Sequence, residues 1–124
     1  HVPVPSLAFD EAAAPPGETT ATVRERVAAA RERQARRLAG PGPPAWNAGL
    51  SPAALRRAAR PGPEGVRLLR RAVDRLGLSA RGLDRLLRVA RTIADLDDSE
   101  EVRTQDLAEA LGYRRCVGDT AEPC

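Results

Sequence analysis

Ser79-Ala80-Arg81-Gly82-Leu83-Asp84-Arg85-Leu86-Leu87-Arg88-Val89-Ala90-Arg91-Thr92-Ile93-Ala94-Asp95-Leu96 is the stretch whose periodicity decides the fold. At about 100° per residue, Leu83, Leu86, Leu87, Ala90, Ile93 and Ala94 share one face, and Arg81, Arg85 and Arg88 share the opposite one. Ser79 is a good N-cap, because its hydroxyl can accept from an otherwise orphaned N–H of the first turn. The spacing therefore predicts an amphipathic helix with a leucine core face. One residue opposes helix electrostatics: Arg81 stands in the first turn, against the positive end of the macrodipole. An anion between that guanidinium and the free N–H groups would compensate, which makes Arg81 a candidate phosphate-sensing residue. The competing reading is a solvated basic face, with Asp84 and Arg88 paired at i,i+4 for about 0.2–0.5 kcal/mol.

The surrounding chain predicts the same fold class, all-α. Its 124 residues make one ordinary domain, and with only one Phe, one Trp and one Tyr the core must be built from Leu, Val, Ile and Ala. Strand formers are too scarce for a sheet. Each of the 20 basic residues is an arginine, balanced by 17 acids to a net charge of +3, so charge alone names no partner. No segment has the ~18 apolar residues of a membrane span, and the expected location is the cytoplasm.

Outward from the central stretch, about five helices are expected. The first opens at Thr19 or Thr20 and runs to about Leu38, with Gly40 as its C′ residue and a thin stripe of Val23, Val27, Ala30 and Leu38. Gly40-Pro41-Gly42-Pro43-Pro44 is a semi-rigid break. Trp46 and Leu50 are expected to plug the bundle. Ser51-Pro52 reads as N-cap plus N1 proline of a short helix to about Ala58. Glu64 to Leu76 carry Val66, Leu69, Val73 and Leu76 as the next stripe, with Gly77 at C′. After the Ser79 helix, residues 97–101 read as a solvated acidic turn, and a last helix from Thr104 stops at Gly112.

No catalytic constellation and no metal site is expected: there is no phosphate-cradling glycine loop, no histidine beside a nucleophile, and the single histidine stands far from Cys116 and Cys124. The chain begins at His1 and contains no methionine, so it is expected to be a piece of a longer protein or one whose start was removed. Two other classes stay open. One is a stand-alone arginine-rich helical module for DNA or protein, with the Ser79 helix in a groove. The other is a secreted domain closed by a Cys116–Cys124 disulfide.

Thr22-Val23-Arg24-Glu25-Arg26-Val27, Ala30-Arg31-Glu32-Arg33-Gln34, Asn47-Ala48, Leu50-Ser51-Pro52, Leu76-Gly77-Leu78-Ser79-Ala80-Arg81-Gly82 and Leu87-Arg88-Val89-Ala90-Arg91-Thr92-Ile93-Ala94-Asp95-Leu96 occur in this order. Together they resemble the C-terminal region of magnesium-chelatase-like AAA+ ATPases of the ComM/YifB type, from about residue 18 to Tyr113. The resemblance implies an AAA+ lid-like helical domain over 18–113. Residues 1–17 would be an extended segment from the end of the AAA+ core, with His1–Pro5 its last strand, and 114–124 a tail.

It further implies that the fragment alone is not an enzyme, while its parent is a hexameric ATPase using ATP and Mg2+. Its partners would be the AAA+ core of the parent chain, the neighbouring subunits and, through the hexamer, DNA during branch migration in natural transformation. The helix from Thr20 to Leu38 would be the extra helix that turns the lid toward the neighbouring subunit. The lid's sensor-2 arginine, which contacts the γ-phosphate, falls on Arg81 first, with Arg85 and Arg88 as alternatives on the same face. An arginine suits that task, because its planar fork stays charged and makes two bonds to a phosphate.

Overall fold

Short-range signals set the helix ends. In the computed structural model, which describes Ser6 and residues 17–39 and 46–115, five α-helices are present among the described residues: α1 (Thr20–Arg37), α2 (Pro52–Ala58), α3 (Pro63–Leu76), α4 (Ala80–Leu96) and α5 (Thr104–Arg115), with a 3-10 turn at Asn47–Gly49. The readings of His1–Pro5, Gly40, residues 41–44, Cys116 and Cys124 lie outside the described residues. The hydroxyls of Thr19, Ser51 and Ser79 accept from Thr22 N at 3.2 Å, Ala54 N at 3.3 Å and Gly82 N at 3.1 Å, each satisfying one orphan donor. Proline occupies the first turn of α2 and of α3, where no N–H is needed. α3 ends at Gly77, left-handed with φ 59°, a conformation that a Cβ would strain.

α4 is the hub. It packs against α5, α1, α2 and the 3-10 turn, while α3 joins the bundle chiefly through α5. Leu86, Leu87, Ala90, Ile93 and Ala94 of α4 are buried with Leu50, Leu55, Ala59, Leu107, Ala110 and Leu111, the aliphatic core that the composition demanded. α3 and α5 run side by side from a parallel bridge between Pro61 and Val102. They approach so closely that a Cβ on Gly65 would meet Leu107 Cδ1 at 2.7 Å and Pro61 Cβ at 2.9 Å.

Several expectations are corrected. The buried residues of α3 are Gly65, Leu69 and Ala72, whereas Val66 and Leu76 are exposed, because the close contact with α5 selects the side of the helix with small residues. Trp46 does not plug the bundle: it is 43 % exposed, and the Arg31 guanidinium lies 5.0 Å from its ring centroid as a cation–π pair. Gly112 does not stop the last helix, which continues to Arg115. Leu111 packs into the core and the Tyr113 hydroxyl donates to Glu109 at 3.1 Å, contacts that act against the ~1 kcal/mol a glycine costs within a helix. Asp97 and Asp98 are exposed yet paired, with Arg103 at 2.6 Å and with Arg33 respectively.

Candidate functional site

The two ends of α4 hold their arginines in opposite ways. At the N-terminal end Arg81 and Arg85 are exposed, and neither makes a hydrogen bond or ion pair among the described residues. The first turn contains no acid to match its dipole. Another cation joins it there, because Gly82 has no side chain. The Arg114 guanidinium of α5 lies against the first turn of α4, with Nη1 3.3 Å from where a Gly82 Cβ would stand. Helix N-terminus and guanidinium groups together favour an anion at this corner, and among the described residues no carboxylate, Asp84 of the next turn included, forms an ion pair with Arg81 or Arg85.

Arg88, the third arginine of that face, is held differently. Its Nη2 donates to the Leu50 carbonyl at 2.9 Å and its buried Nε finds no partner among the described residues. The expected Asp84–Arg88 pair is absent among the described residues, because the Leu50 carbonyl at the mouth of α2 claims the guanidinium instead. The structure thus brings Arg81 and Arg85 to the surface and draws Arg88 toward the interior.

At the C-terminal end lies a polar cluster that periodicity alone did not identify. Arg91 is fully buried: Nη1 donates to the carbonyls of Glu100 at 2.7 Å and Ala58 at 3.4 Å, and Nη2 to Asp95 Oδ1 at 3.0 Å and to the Ser99 carbonyl. Burial pushes the Arg91 guanidinium below the usual arginine value, with the Asp95 charge acting against that shift. Asp95, also fully buried, accepts in addition from both Nη atoms of Arg37 and from Asn47 Nδ2 at 2.8 Å. Asn47 Nδ2 reaches Thr92 Oγ1 at 3.1 Å, and the Asn47 N–H donates to Gln34 Oε1 at 3.2 Å. Arg33 Nη1 donates to the Asp95 carbonyl at 2.8 Å. A signal was present in the sequence: Arg91 follows Leu87 and precedes Asp95 by four residues, at the edge of the apolar stripe.

A second acid is buried at the start of α5. Asp106 accepts from its own cap, the Arg103 N–H at 2.7 Å, and from the Arg103 guanidinium at 2.8 Å, half of a capping box. Both carboxylates belong to the scaffold. Among the described residues no group of three or more His, Cys, Asp or Glu could hold a metal ion, and no helix is long and apolar enough to cross a membrane.

Residues 17–114 match the family model described as magnesium chelatase, subunit ChlI C-terminal. The chain belongs to this family. As a member of the magnesium-chelatase C-terminal family it is 41 % identical over 114 residues to the uncharacterized protein YifB of Escherichia coli (strain K12), covering 92 % of this chain and 22 % of that protein. It is 43 % identical over 101 residues to the competence protein ComM of Haemophilus influenzae (strain ATCC 51907 / DSM 11121 / KW20 / Rd), covering 82 % of this chain and 19 % of that one. An uncharacterized protein of Mycobacterium tuberculosis (strain ATCC 25618 / H37Rv) is 44 % identical over 99 residues, covering 80 % of this chain and 20 % of its own length. The chain thus corresponds to the C-terminal domain of a magnesium-chelatase-like protein of the ComM/YifB family and spans about a fifth of the length of these relatives.

Proposed function

We propose that this helical domain is the lid of an AAA+ ATPase and presents Arg81 to the γ-phosphate of ATP bound elsewhere in the parent. The observation that carries the reading is the electrostatic state of the α4 N-terminus. Arg81 is exposed and without an internal counter-charge among the described residues, the first turn has no acid, and Arg114 reinforces the same field. A polyphosphate is the kind of ligand that such a corner lacks, since it would accept from the helix N–H groups and from the guanidinium fork together. Arg85, one turn further along the same exposed face, is the alternative sensor. Arg88 is the weaker choice, because its fork already serves Leu50.

In this reading ATP and its Mg2+ belong to the AAA+ core of the parent hexamer, and the lid couples their hydrolysis to movement. The N-terminal half of α1, where Val23 and Val27 stay exposed, would meet the core or a neighbouring subunit. DNA as the parent's substrate rests on the relative named a competence protein and on the resemblance to motors of branch migration. The fragment alone is not expected to hydrolyse ATP. The experiment is Arg81→Ala in the parent, with Arg81→Lys beside it. Steady-state ATPase activity should fall by about tenfold or more in the Ala variant, and the Lys variant, which keeps the charge but lacks the bidentate fork, should restore little of it. Unchanged turnover in both would remove Arg81 from the nucleotide.

A further inference from the structure

α1 is fastened to the rest of the bundle by charge. Ala30 and Gln34 are its only buried residues, and Val23 and Val27 lie open to solvent. Beside the buried Ala30, the Arg31–Trp46 cation–π pair and Leu38 against the core, three successive polar contacts make the attachment: Arg33 to the Asp95 carbonyl and to Asp98, Gln34 to the Asn47 N–H, and Arg37 to the Asp95 carboxylate and to Asn47 Oδ1 at 3.3 Å. These residues are spaced i, i+1 and i+4, so they sit along one edge of α1, and they meet Asp95 of α4, Asp98 just beyond it and Asn47 of the 3-10 turn.

The two sides of Asp95 are unequal. On the core side, Arg91 is held by three backbone carbonyls as well as by Asp95, and Asn47 donates to the same carboxylate. On the α1 side, the side chains of Arg33 and Arg37 keep 22 % and 24 % of their surface in water. Were α1 to leave, Asp95 would keep two donors and the two arginines would pass into solvent, so neither body would be left with an unpaired buried charge. We propose that α1 is a charge-latched arm: Arg33 and Arg37 dock it on Asp95 and Asp98, and it releases as a unit while α2–α5 remain folded. The use of such an arm, to let the lid move against the rest of the parent, rests on the function proposed above. The latch itself is tested with no nucleotide present, so its failure and that of the Arg81 reading are distinguishable.

The test uses the full 124-residue chain with Cys116 and Cys124 replaced by serine and spin labels at Ala28→Cys on α1 and Ala108→Cys on α5, both exposed sites. With the native arginines, one narrow distance distribution is expected. Arg33→Gln/Arg37→Gln should broaden it and raise amide hydrogen exchange in α1 by on the order of tenfold or more, leaving α4 and α5 as protected as before. A distribution that stays narrow would overturn the latch, since apolar contact would then suffice. Loss of protection in α4 and α5 would overturn it too, by making α1 integral to the fold. Arg24→Gln/Arg36→Gln, which removes the same charge from exposed positions of α1, should change neither readout, and release by that variant would count equally against the latch.

Discussion

Arg81 and Arg91 stand ten residues apart on one helix, and the fold treats them as opposites. Arg91 is fully buried, matched by a carboxylate and three carbonyls, and its charge is an internal affair of the bundle. Arg81 faces outward, in the first turn of a helix whose terminus disfavours a cation and whose Gly82 lies against a second guanidinium, that of Arg114. A buried charge whose two terminal nitrogens are both partnered inside the bundle, with only its Nε left without a partner among the described residues, has a structural job. An exposed one at a helix N-terminus is where the function proposed above puts a counter-charge brought by a ligand. The residue type is identical at both ends, and the surroundings differ.

The comparison breaks most visibly at the buried end. Asp95→Ala should destabilise the chain by about 3–5 kcal/mol in urea unfolding, because Arg91 would be stranded without its carboxylate and Arg37 and Asn47 would each lose one of their acceptors. A loss below about 1 kcal/mol would mean that the carbonyls of Ala58, Ser99 and Glu100 hold Arg91 unaided. At the exposed end, Arg81→Ala should shift stability by no more than about 0.5 kcal/mol in the same assay, and in the stabilising direction, since a cation leaves a helix N-terminus. A clear destabilisation would make Arg81 part of the scaffold and remove the contrast.

The smallest effect concerns an exposed pair that belongs to neither end. Glu18 accepts from Arg26 at 2.8 and 3.0 Å, and that hydrogen bond, followed by the Arg26 charge, holds the Glu18 carboxyl below its ordinary value. With the folded value depressed, the pair's contribution is present above the usual glutamate range and disappears as pH falls through the lowered value. Carboxyl-detected NMR titration should show a low Glu18 midpoint that returns to the ordinary value in Arg26→Ala. An unshifted midpoint in the native chain would mean that the pair is open in solution.

Most helix ends, the expected stop at Gly112 excepted, were legible in the sequence because their causes are local. Ser79, Ser51-Pro52 and Gly77 each act within a turn or two of themselves, and each is found where such reasoning put it. The exposed face of Arg81 and Arg85 was legible for the same reason, as the far side of a leucine stripe. Val66 and Leu76 misled because hydrophobicity gives a helix a stripe but does not say how near its neighbour will come. With Gly65 against Leu107, the small-residue side is the one that fits. Trp46 misled because a large apolar ring has a second outlet, the face of an arginine, that composition does not reveal.

From the sequence alone came the helices, their order, the aliphatic core and the family they resemble, since periodicity, capping and motif order are properties of neighbouring residues. Only the tertiary structure decided which arginines are buried. Arg91 can lose its water only where carbonyls from the end of α2 and from the turn after α4 arrive around it together with Asp95. The compensation of a buried charge is a sum over groups distant in the chain, and no local pattern contains that sum.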